Sequence, residues 1–376
     1  MKLRAVLSAC ILLLPALITG MSARAQETAA EWAVTTINER EYYSLEQLRS
    51  FYKLRPIDTA SPHLHTIGNS SFRLAFNTQS MELIVAGYRC RLSHPIIKSN
   101  NGELLISKTD FVKLIDPILR PTYIAERREV RTVVIDPGHG GSDPGNKSEW
   151  LCEADCTLNI ALALARELEK RGLHVILTRN TDQDLADAER VRTAREAPAA
   201  IFISLHVNSG RSDIRGIETY TAAPLEPNSR ALEAHRHDAA NIALAFALHS
   251  HVLNSTNAAD GACRRSHYSL LNTVNCPAAL VQVGYATHKQ EATALAGNDY
   301  RAELVTGLAD GIAAFCSAIS VKAELKPSRP EEEAVTLPAP KPKPAVPTPK
   351  KDDKSNKNKK QNKRKPAPTK PRRRRR

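Results

Sequence analysis

TVVIDPGHGGSDPG, residues 132–145, marks where the chain changes its period. Thr132 to Asp136 read as a strand apolar on both faces. Glycines at 138, 140 and 141 then let the backbone turn sharply. Downstream, TLNIALALARELEKRG predicts a helix with apolar residues at Leu158, Ala161, Leu162, Ala165 and Leu168. A strand follows in HVILT, a helix in DAERVRTAREA, and strands in AAIFISLH, GIETYTA and AALVQVGY. Helical patterns around residues 230–253 and in AELVTGLADGIAAFCSAI complete the region. Strands alternating with helices predict an α/β fold over 130–318, a mostly parallel twisted sheet flanked by helices. In such sheets the site lies at the carboxyl ends of the strands.

Upstream, residues 30–126 predict a small α+β domain. REYYSLEQLRSFYKL and GELLISKTDFVKLIDPIL each read as a short strand, a serine cap and a helix. Between them, SFRLAFNTQSMELIVAGYRCRL reads as a hairpin followed by another strand. This arrangement resembles the stalk-like N-terminal domain of copper amine oxidases, which implies a spacer or substrate-docking role. Residues 1–25 carry a basic start, a short apolar core and a small-x-small site at Ala23 to Ala25, the pattern of a cleaved export signal. The mature protein is therefore expected in the periplasm, the cell envelope or the medium. Six cysteines remain after cleavage, and they fit disulfides and buried thiols equally well.

The formal net charge of +13 sits in one place. Residues 321–376 hold 20 lysines and arginines against 6 acids, whereas the rest holds 33 against 34. This proline-rich, apolar-poor tail predicts a disordered, polycationic segment. In an exported protein its expected partners are anionic envelope polymers, not nucleic acid.

The chemistry-bearing residues fall at strand ends. His139 follows TVVIDPG, His206 ends IFISLH, and Glu153 lies between them in KSEWLCEADCTLN, with Glu149, Asp155, Cys152 and Cys156 as local rivals. Two imidazoles, one carboxylate and an open position make the ligand set of a hydrolytic zinc ion, which would lower the pKa of its water to about 7.

VVIDPGHGGSDPG, the glutamate and Thr-Leu at 153–158, VILTR, FISLHVNS, GIETY and PAALVQVGY together resemble the zinc-dependent N-acetylmuramoyl-L-alanine amidases of bacterial cell separation. The resemblance covers about residues 131–317. It implies a peptidoglycan hydrolase that cuts the amide between N-acetylmuramic acid and the L-alanine of the stem peptide. It also implies Zn2+ on His139, Glu153 and His206, and a substrate-groove position for Arg264. The family's catalytic glutamate falls on Gln282. An amide can hydrogen-bond a water but cannot take its proton, and loss of a general base typically costs about 10²–10⁴ in rate. Glu218 and His288 are the alternative bases. The competing expectation is a catalytically impaired homologue that binds or regulates peptidoglycan, and a zinc carboxypeptidase is a third.

Overall fold

The computed structural model describes residues 32–57, 64–124, 129–223 and 237–320. The expected export signal and basic tail lie outside those residues.

Six strands form the core of the α/β region: β10 (Thr132–Pro137), β11 (His174–Leu177), β12 (Ala200–Asn208), β13 (Ile217–Ala222), β14 (Asp260–Ser266) and β15 (Ala278–Tyr285). Their order is β11-β10-β12-β15-β13-β14. The first four run parallel. β13 runs antiparallel to β15, and β14 runs parallel to β13. The sheet is thus mostly parallel with one reversal.

Helices cover both faces, which explains why β10 and β15 are buried throughout. On one face lie α2 (Glu153–Lys170), α4 (Asp238–Thr256) and α7 (Asn298–Ser320), with Ile160, Leu164, Leu248, Leu308 and Ile312 against Ile135, Ile203 and Val281. On the other lie α3 (Asp187–Glu196) and α5 (Ser269–Thr273), with Val191 and Leu271 against Val134, Phe202 and Leu280. Each such aliphatic side chain contributes about 1.5–3 kcal/mol by leaving water. The α2 stripe is rotated from the sequence expectation. Ile160, Ala161, Leu164, Ala165 and Leu168 are buried, while Leu158 and Leu162 are only partly so. The helix is anchored by its buried first residue, Glu153, and that anchor sets which face turns inward.

The N-terminal part holds two sets of strands. One sheet has the order β1-β2-β9-β8, from β1 (Val34–Ile37), β2 (Arg40–Ser44), β8 (Ile97–Lys98) and β9 (Leu104–Ser107). Ser44 caps α1 (Leu45–Phe51) in a capping box with Gln47, and Ser107 accepts from the Asp110 amide at the start of the matching helical turn. The second set is the meander β3 (Arg55–Pro56), β4 (His65–Gly68), β5 (Arg73–Phe76), β6 (Glu82–Val85) and β7 (Tyr88–Arg91). β7 hydrogen-bonds parallel to β14, with Cys90 opposite Cys263. The meander and the α/β core therefore share one 11-stranded sheet. The sequence offered no sign of that junction. The six described cysteines are free thiols.

Candidate metal centre and the groove beside it

His139, Glu153 and His206 meet where β10 ends and β12 nears its carboxyl end, with His206 still inside β12. One donor atom from each lies within 4.8 Å of the others. The His206 Nδ1 is 3.0 Å from Glu153 Oε1, and the His139 Nε2 is 3.2 Å from the same oxygen. Glu153 is 1% exposed. Its Oε1 also accepts from the Val207 amide, and Oε2 accepts from the backbone and side-chain nitrogens of Asn146. Burial alone would raise its pKa, but the hydrogen bonds from both histidines and Asn146 outweigh it and hold the carboxyl well below its ordinary range. His139 responds in the opposite direction. Its hydrogen bond to Glu153, reinforced by Asp143, raises it to about 9.

The loop from β10 is shaped for close approach. A Cβ on Gly138 would stand 2.3 Å from the His206 ring, and one on Gly145 would stand 2.6 Å from His139 and 2.7 Å from Glu153. His139 itself has φ +62°, a left-handed conformation that costs on the order of 1 kcal/mol and is held by its surroundings. Two buried arginines supply that hold. Arg179 donates to the carbonyls of Pro137, Gly138 and Ala154. Arg190 pairs with buried Asp136 at 2.8 Å and donates to the carbonyls of Pro137 and His139. Thr157 Oγ1 also donates to Gly138. Asp143 receives the His139 Nδ1 at 2.7 Å, which turns Nε2 towards Glu153. Sequence reasoning missed Arg179, Arg190 and Asp143. The signal was available: charges inside VILTR and beside GHGG had no other assignment.

The local rivals of Glu153 stay out of this group. Cys156 is buried, and Cys152 donates to the Pro144 carbonyl.

Gln282 stands opposite His206 on one side and opposite Glu218 on the other, so three neighbouring strands present a row on one face. Gln282 is 8% exposed, and its Oε1 has no hydrogen-bond partner among the described residues. Its side chain hydrogen-bonds the Tyr268 phenol. Glu218 is saturated. It pairs with Arg264 at 2.9 Å and accepts from Asn208 and Tyr220 at 2.8 Å each. Arg264 is one-third exposed and also donates to the Gly261 carbonyl. It lies on β14, a strand that the sequence reading did not anticipate in DGACRRS. His288, the other alternative base, caps α6 (Lys289–Ala296) by accepting from the Glu291 amide.

A model of the N-acetylmuramoyl-L-alanine amidase family matches residues 133–314, the span that carries this whole arrangement. The chain belongs to that family. It is a hydrolase by that membership. The uncharacterized protein YqiI of Bacillus subtilis is 30% identical over 192 residues, 51% of this chain and 87% of its own length. The sporulation-specific N-acetylmuramoyl-L-alanine amidase of the same organism is 31% identical over 182 residues, 48% of this chain and 66% of its own. The solved catalytic domain of the amidase CwlV from Bacillus (Paenibacillus) polymyxa is 30% identical. It covers 50% of this chain and 99% of its own, with a TM-score of 0.45.

Proposed function

We propose that this amidase cuts the bond between N-acetylmuramic acid and the L-alanine of the stem peptide, that it needs zinc, and that it acts outside the cytoplasm in wall remodelling or cell separation. The observation that carries the reading is the convergence of His139, Glu153 and His206. Their donors, two imidazole nitrogens and a carboxylate oxygen, fit a hydrolytic zinc ion with a position left open for substrate. Bound there, zinc supplies Lewis-acid polarisation of the scissile carbonyl and a more acidic water.

The chain's own residues do the rest. Asp143 and Glu153 fix the two imidazoles, and Arg179 and Arg190 fix the backbone that carries His139. Gln282 replaces the glutamate that serves as base elsewhere in the family. A primary amide at this position can hydrogen-bond a water or the substrate amide but cannot keep a proton. Glu218 has its lone pairs engaged and acts through Arg264, which offers a cation to the substrate beside Gln282.

The test is metal analysis joined to product analysis. Mature protein purified without added metal should hold close to one zinc per chain, and should release stem peptides that leave free muramyl lactyl ends. New amino termini within the stem peptide would point to a peptidase. A zinc-bearing protein that pelleted with sacculi but released nothing would favour the binding role, for which Gln282 is the specific support.

A further inference from the structure

We propose that the sheet face carrying His206, Gln282 and Glu218 continues across the N-terminal meander as a cationic track, and that this track binds the carboxylates of neighbouring stem peptides on the peptidoglycan strand being cut. The proposal rests on the amidase reading and adds a second contact region to it.

The strand registers define the track. Cys90 and Cys263 oppose each other on the face that packs against α2, α4 and α7, where both are fully buried. Side chains alternate along a strand, so Arg89 and Arg91 on β7 take the other face, as Arg264 does on β14. From β7 the register runs Arg91 to Glu82 and Arg89 to Ile84, then Ile84 to Ala75 on β5. Arg73, two residues before Ala75, lies opposite Gly68, and Gly68 lies opposite Arg55 on β3. Arg55, Arg73, Arg89 and Arg91 therefore share one face, and all four are exposed. The opposite face holds Leu74, Phe76, Leu83 and Val85 in the core.

The charges on this face are not balanced internally. Glu82 is committed to Arg89 and Glu218 to Arg264. Arg55, Arg73 and Arg91 bond no carboxylate among the described residues. Gly68, between Arg55 and Arg73, puts no side chain between them. At the far end, a hollow of about 550 Å³ is lined by Arg55, Lys53, Asn69 and Arg49, the last paired with Glu46. Seven strand spacings of about 4.8 Å separate β15 from β3, so the track runs roughly 34 Å along the twisted surface.

Repulsion between exposed guanidiniums gives folding nothing, whereas an array of carboxylates would neutralise them with paired hydrogen bonds. The polymer that enters the site is the nearest polyanion, because stem peptides bearing free carboxylates recur along its length.

The test compares the full chain with its triple variant Arg55→Glu, Arg73→Glu, Arg91→Glu, for pelleting with purified sacculi and for hydrolysis of a soluble muramyl tripeptide bearing a single stem. Reversal should raise the half-saturating sacculus concentration about tenfold. The rate on the small substrate, the zinc content and the thermal midpoint should stay unchanged. The triple lysine variant should keep most of the binding. Sacculi whose carboxylates have been converted to amides should bind the wild type about as weakly as the glutamate variant binds native sacculi, and this arm needs no variant to fold. Equal pelleting of wild type and glutamate variant would overturn the proposal. So would undiminished binding to amidated sacculi, or weakening only after phosphate polymers are stripped. Failure of the amidase reading shows separately, as no product from the tripeptide.

Discussion

The two sides of the row His206–Gln282–Glu218 differ in how completely they are specified. On the side of β10 and α2, both carboxylate oxygens of Glu153 and the Nδ1 of His139 have partners. Both histidines, the Val207 amide and Asn146 converge on one carboxylate, and two buried guanidiniums hold the loop carbonyls. On the side of β15 and β13, Glu218 is equally saturated, yet Gln282 between the two sides keeps an oxygen with no described partner. The difference teaches that the carboxylate of the proposed metal side is braced by this chain's own donors. At Gln282 the described partner is the Tyr268 phenol.

The sharpest way to break this comparison is Gln282→Glu. If the β15 position lacks only a proton acceptor, the variant should gain on the order of 10² in kcat on the soluble tripeptide, since a positioned general base typically contributes at least that much. Zinc content should not change, because the exchange adds no ligand to a set already closed by His139, Glu153 and His206. An unchanged rate would mean that proton transfer does not pass through β15, and the two sides would then not divide the work as described.

A smaller effect is expected on the metal side. Asp143 is mostly exposed, but its Oδ2 holds the His139 Nδ1 at 2.7 Å. Asp143→Asn keeps the volume and removes the charge. Loss of such an outer partner should weaken zinc about tenfold, read by competition with a chelator, and should leave the fold unaltered. If affinity did not move, the loop and the two arginines alone would orient His139.

These halves were unequally legible in the sequence. Glu153, at the start of α2, was separated from Glu149 and Asp155 by the family resemblance, whereas His139 and His206 could be singled out at strand ends. The row His206–Gln282–Glu218 could not, because it depends on which strands are neighbours, and β13 pairs with β15 across about 60 residues of chain. β14 escaped because two adjacent arginines in DGACRRS break the apolar alternation. Their reason lies in the fold: Arg264 is one-third exposed and pairs with Glu218, while Arg265 turns into a buried contact with the Lys113 carbonyl. The shared sheet was the least visible feature, since its junction is one registered pair, Cys90 with Cys263, far apart in sequence.

That junction supplies the last and smallest prediction. Asp260 opens β14 and ties three elements together. It accepts from the Arg89 amide of β7 and from its own strand at Ala262, and its Oδ1 lies 3.0 Å from His249 Nε2 on α4. Burial alone would raise its pKa, but the hydrogen bond from His249 and the two backbone amides outweigh it and hold the carboxyl below its ordinary value. A depressed folded-state pKa stabilises the fold fully above the unfolded value, near 3.9, and loses that contribution as pH falls through the folded value. Asp260→Asn should therefore cost about 1 kcal/mol at neutral pH, measured by denaturant unfolding. The difference from wild type should shrink as the pH drops below about 4. A cost that did not change with pH would assign Asp260 a purely geometric role at the β7–β14 joint. The charge held by His249 would then contribute nothing to keeping the meander on the catalytic sheet.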